Sequence, residues 1–109
     1  MMDVQVSDLD GVALDWAVAT CEKLPIKFDP MGFGIGPNGG FWIWDDSPKG
    51  VMTQIGIGYS PSQKWDQGGP LIEREEINLS WPNPLVAAMR CYVAKTLGGV
   101  IQIPDIFAY

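Results

Sequence analysis

An α+β fold, a small antiparallel or mixed β-sheet with two helices packed on one face, is predicted by three features of the sequence. Apolar residues recur at helical spacing near both ends of the chain, at Gly11–Lys23 and Pro84–Leu97. Between them lies an aromatic run of β character, Phe41-Trp42-Ile43-Trp44, followed by a turn and a second β-like stretch. Short turns join most of the strand-like runs, which favours antiparallel neighbours over long crossovers.

Taken in order, Met1–Val6 alternates loosely and suits a short edge strand. Ser7 or Asp10 then offers an N-cap, with Asp15 near the helix start, where negative charge is favoured. Leu14, Ala17, Val18 and Cys21 make one apolar face, Asp15 and Glu22 lie off it, and Pro25 stops the helix. Lys27–Gly40 reads as irregular, punctuated by Pro30, Pro37 and repeated glycines. Gly34–Gly39 spells G-x-G-x-x-G, but no strand clearly precedes it and a β-type run follows, so a dinucleotide fold is not implied.

In that run Phe41 and Ile43 face one side and Trp42 and Trp44 the other, so both faces need cover. Asp45–Gly50 is a turn by composition, and Val51–Tyr59 completes a hairpin in which Gly56 and Gly58 mark a bulge or close backbone approach. Pro70 suits the first position of a short helix, and Ile77, Leu79 and Trp81 alternate as a half-buried strand. Asn83-Pro84 starts the closing helix, whose apolar face runs Val86, Met89, Val93 and Leu97, with Leu85 and Tyr92 beside it. Gly98-Gly99 terminates it, and Val100–Ile103 forms a last strand ended by Pro104.

The chain has 109 residues, enough for one domain over residues 1–109, and 47% of them are apolar, enough to fold. Seven basic against thirteen acidic residues leave a net charge of −6, which argues against binding a nucleic-acid duplex through its phosphates. No apolar run is long enough to span a membrane, and the acidic N-terminus is unlike a signal peptide, so a cytoplasmic protein is expected. Cys21 and Cys91 both sit in helical patterns, as reduced core cysteines do. Histidine is absent, so there is no Ser-His or Cys-His pair and no histidine metal ligand. No catalytic residue, metal or cofactor is implied.

The chemistry concentrates in Gly58–Glu75. Trp65 offers a stacking surface in a polar, proline-bounded segment, and Gly68-Gly69 can bring backbone N–H groups close to an anion. Arg74 suits a phosphate or carboxylate, Gln67 can read a polar edge, and Tyr59, Ser60 and Ser62 add hydroxyls. Arg90, among apolar neighbours in the closing helix, is a second candidate cation whose partner is either a ligand or an acidic side chain. The competing reading is a structural loop, with Trp65 plugging the open end of the sheet and Arg74 paired to Glu73, Glu75 or Glu76. Those glutamates read as a solvated acidic turn rather than as paired catalytic carboxylates.

Three segments carry a family resemblance. Leu9, Gly11 and Ala13–Ala19 resemble the opening helix of the NinX-like family of small tailed-bacteriophage accessory proteins. Tyr59–Ser62, Trp65, Gly68–Pro70 and Ile72–Arg74 resemble its central signature, and Pro84-Leu85, Ala87–Val93 and Ile103–Asp105 its C-terminal segment. The resemblance implies a phage protein acting in the cytoplasm of an infected bacterium, and it brings no reaction with it. Two functions remain open: a non-enzymatic binder of a small anionic, nucleotide-like ligand, sequestering a host immune signal, or an interaction module that inhibits or redirects a host enzyme.

Trp42, Trp44, Ile106, Phe107 and Tyr109 are more aromatic and aliphatic surface than so small a domain readily covers, and a homo-oligomer is expected. Light scattering at high micromolar concentration should then return a multiple of 11.9 kDa, and the monomer mass itself would count against it.

Overall fold

The computed structural model describes residues 2–28, 41–44, 52–56, 58–77 and 84–104. The chain opens with strand β1 (Met2–Gln5), a single tight helical turn at Val6–Asp8, and helix α1 (Gly11–Cys21). Strands β2 (Ile26–Phe28), β3 (Phe41–Trp44) and β4 (Met52–Gln54) follow, then helices α2 (Trp65–Glu75) and α3 (Pro84–Leu97) and strand β5 (Val100–Ile103). The class is α+β, as the periodicities indicate.

Among the described residues the strands form two antiparallel sheets rather than one. The first joins the ends of the chain, with Met2 opposite Ile103 and Gln5 opposite Val100. This pairing is set by the end of α3, where Gly98 takes a left-handed φ of 103° and turns the chain back. Val6 N–H then donates to Gly99 O at 2.9 Å, closing the ribbon. The second sheet runs β2-β3-β4. Its β3–β4 hairpin matches the expected pairing, with Ile43 opposite Thr53, while β2 forms within a stretch that reads as irregular. Phe41 and Ile43 are buried and Trp42 and Trp44 half-buried, as strand alternation requires.

Helix α1 is buried on nearly every side: Leu14, Asp15, Ala17, Val18, Ala19 and Cys21 are all inside. It ends before Pro25, through Lys23 at φ 57° and a Leu24 N–H to Ala19 O bond of 3.1 Å. At its start Asp10 holds the N-cap position without a side-chain cap bond, and Gly11 supplies the positive φ that the entry needs. On α3 the buried stripe is Leu85, Ala88, Met89, Tyr92 and Val93. It is rotated from the expected face, so Val86 is half-buried and Leu97, in the last turn beside Gly98, is exposed. α3 packs on both α1 and α2.

The largest departure is α2. A loop with a short helix from Pro70 is expected, and instead helix begins at Trp65, with Pro70 in its interior. Proline there forfeits one helical hydrogen bond. Tertiary packing of α2 on the Ser60–Ser62 turn and on α3 offsets the loss. Ile77 follows the helix as irregular chain, held by its N–H to Ile72 O, while Leu79 and Trp81 of the expected strand lie outside the described residues. So do the Gly34–Gly39 motif and the tail from Asp105.

Val93 is fully buried where α3 meets the common core. Val93→Asp should place an unpaired charge there and cost about 3–5 kcal/mol, enough to unfold much of the population. A melting temperature unchanged by the substitution would remove Val93 from the core.

Candidate functional site

The turn between β4 and α2 is organised by a side chain from the far end of the sequence. Asp15 of α1 is fully buried and its carboxylate faces the turn. Ser60 Oγ donates to Asp15 Oδ2 at 2.7 Å, and Ser62 N–H donates to Oδ1 at 2.9 Å. The Ser62 hydroxyl, also buried, lies beside the same carboxylate without a well-formed hydrogen bond of its own. Burial pushes the Asp15 pKa up, and the hydrogen bonds from Ser62 and Ser60 oppose that rise.

Gln67 holds the same turn from the other side. Its Oε1 accepts from Ser60 N–H at 2.6 Å, and its Nε2 donates to Gly58 O at 2.7 Å. The helix carrying Gln67 closes on the turn through Gly68. A Cβ at that position would sit 2.3 Å from the Pro61 carbonyl oxygen and 2.5 Å from Leu85 Cδ1, so only glycine permits the contact. Ser60, Ser62, Gln67 and Gly68 are therefore brought together, with their polar groups turned into the protein. Gly69 has open space where a Cβ would be, and Trp65, at the start of α2, is 52% exposed.

Arg74 lies nine residues beyond Trp65, about 14 Å along the helix axis. It forks onto Glu22, with Nη1 to Oε1 at 2.9 Å and Nη2 to Oε2 at 2.5 Å. Its Nε donates to Glu75 at 2.9 Å, and Nη2 also reaches the Tyr92 hydroxyl at 3.0 Å. Tyr92 in turn donates to Glu22. The Arg74 hydrogen bond holds the Glu22 carboxyl below its usual range. Burial, with the Glu22 charge adding to it, raises the Tyr92 phenol. Tyr59, half-buried, is raised by burial and by the charges of Glu22 and Asp15. Every nitrogen of Arg74 is thus engaged by the protein itself.

Arg90 is placed differently. Its Nε donates to Leu9 O at 2.6 Å, and it has no carboxylate partner among the described residues, whose ion pairs join Arg74 to Glu22 and Glu75, and Lys95 to Glu75. With Val6, Ser7, Ala87, Cys91, Ala94 and Gly99 it lines a groove of about 420 Å³ between the Val6–Asp8 turn and α3. Cys91 is exposed in the wall of that groove, against the expectation of a core residue, whereas Cys21 is buried and its thiol is pushed up to about 11 by desolvation.

Asp15 was the residue that periodicity hid. A helix whose other residues are apolar almost all round must be buried all round. That pattern, present in Val12–Cys21, is the signal that its acid would be buried too. Among the described residues no group of His, Cys, Asp or Glu is placed to hold a metal.

Residues 5–83 match the profile of the family described as "Bacteriophage P22, NinX". The chain belongs to this family. The NinX match spans α1, the Asp15-held turn and α2, while the C-terminal segment with Arg90 lies beyond it. No curated protein matches the chain. This NinX-family phage protein has, among its described residues, no helix long and apolar enough to cross a membrane.

The raised Asp15 pKa has a defined sign. Its stabilising contribution is complete below the ordinary value near 3.8 and is lost as pH rises through the higher folded value. Asp15→Asn should therefore gain stability relative to wild type as pH rises from the acid range to neutrality, in denaturant melts that cancel the other titrating groups. The opposite trend would show that the serine hydrogen bonds outweigh desolvation.

Proposed function

We propose that this phage accessory protein acts without catalysis, binding a small anionic, nucleotide-derived ligand in the cytoplasm of the infected bacterium and so withholding a host immune signal. What supports this reading is Arg90: in an acidic chain, a guanidinium anchored by one nitrogen and lacking a carboxylate partner among the described residues lines an accessible groove. Guanidinium pairs with phosphate and carboxylate in a planar, bidentate geometry, and its charge does not titrate near neutrality.

A second reading, an interaction module that inhibits or redirects a host enzyme, is favoured by a different observation. Trp65 and Phe28 are 52% and 47% exposed, and exposed aromatic side chains, tryptophan above all, are common anchors of protein interfaces.

The two separate on protein purified from cells. A nucleotide-binding protein should release an ultraviolet-absorbing ligand on heating, and a screen of nucleotides and cyclic nucleotides should raise its melting temperature by a few degrees. Arg90→Gln should weaken any hit about tenfold, while Trp65→Ala, outside the groove, should leave it unchanged. A screen with no hit, together with a host protein that co-purifies and is lost in Trp65→Ala, would replace the ligand reading with the interaction module.

A further inference from the structure

Resting on the anion-binding reading above, we propose that the seat is the groove between the Val6–Asp8 turn and α3, and that its ligand is a monoanion carried on an apolar or flat body. The charge count comes first. Among the described residues Arg90 is the single cation lining the groove, and the lysine further along α3, Lys95, is directed to Glu75. Asp8 and Asp10, both exposed, flank the Leu9 carbonyl that anchors Arg90, and neither is within salt-bridge distance of it. One negative charge is matched there. A second or third would meet no cation among the described residues that line the groove, on a chain of net charge −6.

The walls determine the remainder of the ligand. Val6, Ala87, Ala94 and the Cys91 side chain are small and apolar, and a volume of about 420 Å³ is at the low end for a ligand site, room for a body no larger than a mononucleotide. Ser7 adds one hydroxyl at the rim. The guanidinium is already oriented, because Nε is fixed to Leu9 O at 2.6 Å while its terminal nitrogens have no partner among the described residues. Less side-chain freedom is then lost on pairing with an anion. A carboxylate on a hydrocarbon body and the single phosphodiester of a cyclic mononucleotide share this chemistry. A nucleoside triphosphate does not.

The chain supplies its own probe of occupancy. Cys91 is exposed in the groove wall, whereas Cys21 is buried with its thiol pKa raised to about 11, so alkylation reports on the groove. The experiment is calorimetry at low ionic strength with octanoate, benzoate and cyclic AMP set against AMP, ADP and ATP. Each is repeated with mass-spectrometric timing of Cys91 alkylation by iodoacetamide. At least one monoanion should bind, slow Cys91 alkylation several-fold, and bind about tenfold more weakly to Arg90→Gln. Ala94→Trp fills the groove from an exposed helical position and keeps the Arg90–Leu9 bond, so it should give the same loss while melting like wild type. Octanoate and benzoate against cyclic AMP tells which source of the anion fits.

Affinity that climbs from AMP to ATP would overturn the monoanion assignment and leave anion binding standing. Binding that neither protects Cys91 nor responds to Ala94→Trp would move the seat elsewhere on the protein. If none of the anions binds, this inference and the reading beneath it fail together.

Discussion

A buried carboxylate, Asp15, with no cation partner among the described residues, fixes how the turn before α2 sits on α1. Asp15 is inside the protein, and what keeps it there is the set of donors brought to it by a turn 45 residues and more away in sequence, Ser60 Oγ and Ser62 N–H. Burial of a charge on such terms contributes little net stability, yet removing one member leaves the others unsatisfied at a cost of about 1–3 kcal/mol each. The interaction therefore acts chiefly on specificity: only one placement of the turn satisfies both oxygens. Gln67 repeats the constraint from α2, and Gly68 lets that helix approach until it touches Pro61 and Leu85. Three helices and a turn are thereby indexed to one another around a single side chain.

The second polar cluster works at the opposite end of α2. Glu22, Arg74 and Tyr92 tie the C-terminal ends of α1 and α2 to the middle of α3, at the protein surface, where the ion pair is screened and contributes modestly. The bidentate fork and the Tyr92 hydroxyl, which both donates and accepts, give it a geometry more defined than that of an isolated surface pair. α2 is thus pinned near its start by Asp15 and Gln67 and near its end by Arg74. A helix with an internal proline and two glycines, each unfavourable by about 1–3 kcal/mol in a helix interior, is held in place by its ends.

That arrangement explains which parts of the structure were legible in the sequence. α1, α3, β5 and the β3–β4 hairpin follow from periodicity and punctuation, since for them local preference and tertiary packing agree. Of α2 only the part from Pro70 was legible; its start was not, because Gly68, Gly69 and Pro70 argue against helix there and the contacts that hold it come from residues as distant as Asp15 and Glu22. The buried face of α3 was misjudged by part of a turn for a related reason. Leu97 has the right spacing and chemistry for the stripe, but it falls in the final turn, beyond the reach of the core. β2 is three residues long and too short to show alternation at all. Of the candidate site, the density of special residues in Gly58–Glu75 was visible, but not the direction in which their polar groups point.

That direction is decided by hydrogen-bond capacity. Ser60, Gln67 and Arg74 are the residue types that recognise ligands, and they occur together in one segment, so composition alone favours a binding loop. Their donors and acceptors, however, are engaged by Asp15, Gly58 and Glu22. A polar group already satisfied inside the protein must break that bond before it can bind anything else, and the exchange leaves a buried partner unpaired. Recognition is less costly where capacity is left over. Arg90 has one nitrogen anchored and the others without a partner among the described residues, and Trp65 presents half its surface outward. In this small acidic protein the residues that look most like a site build the frame, and the open valences lie at its edge.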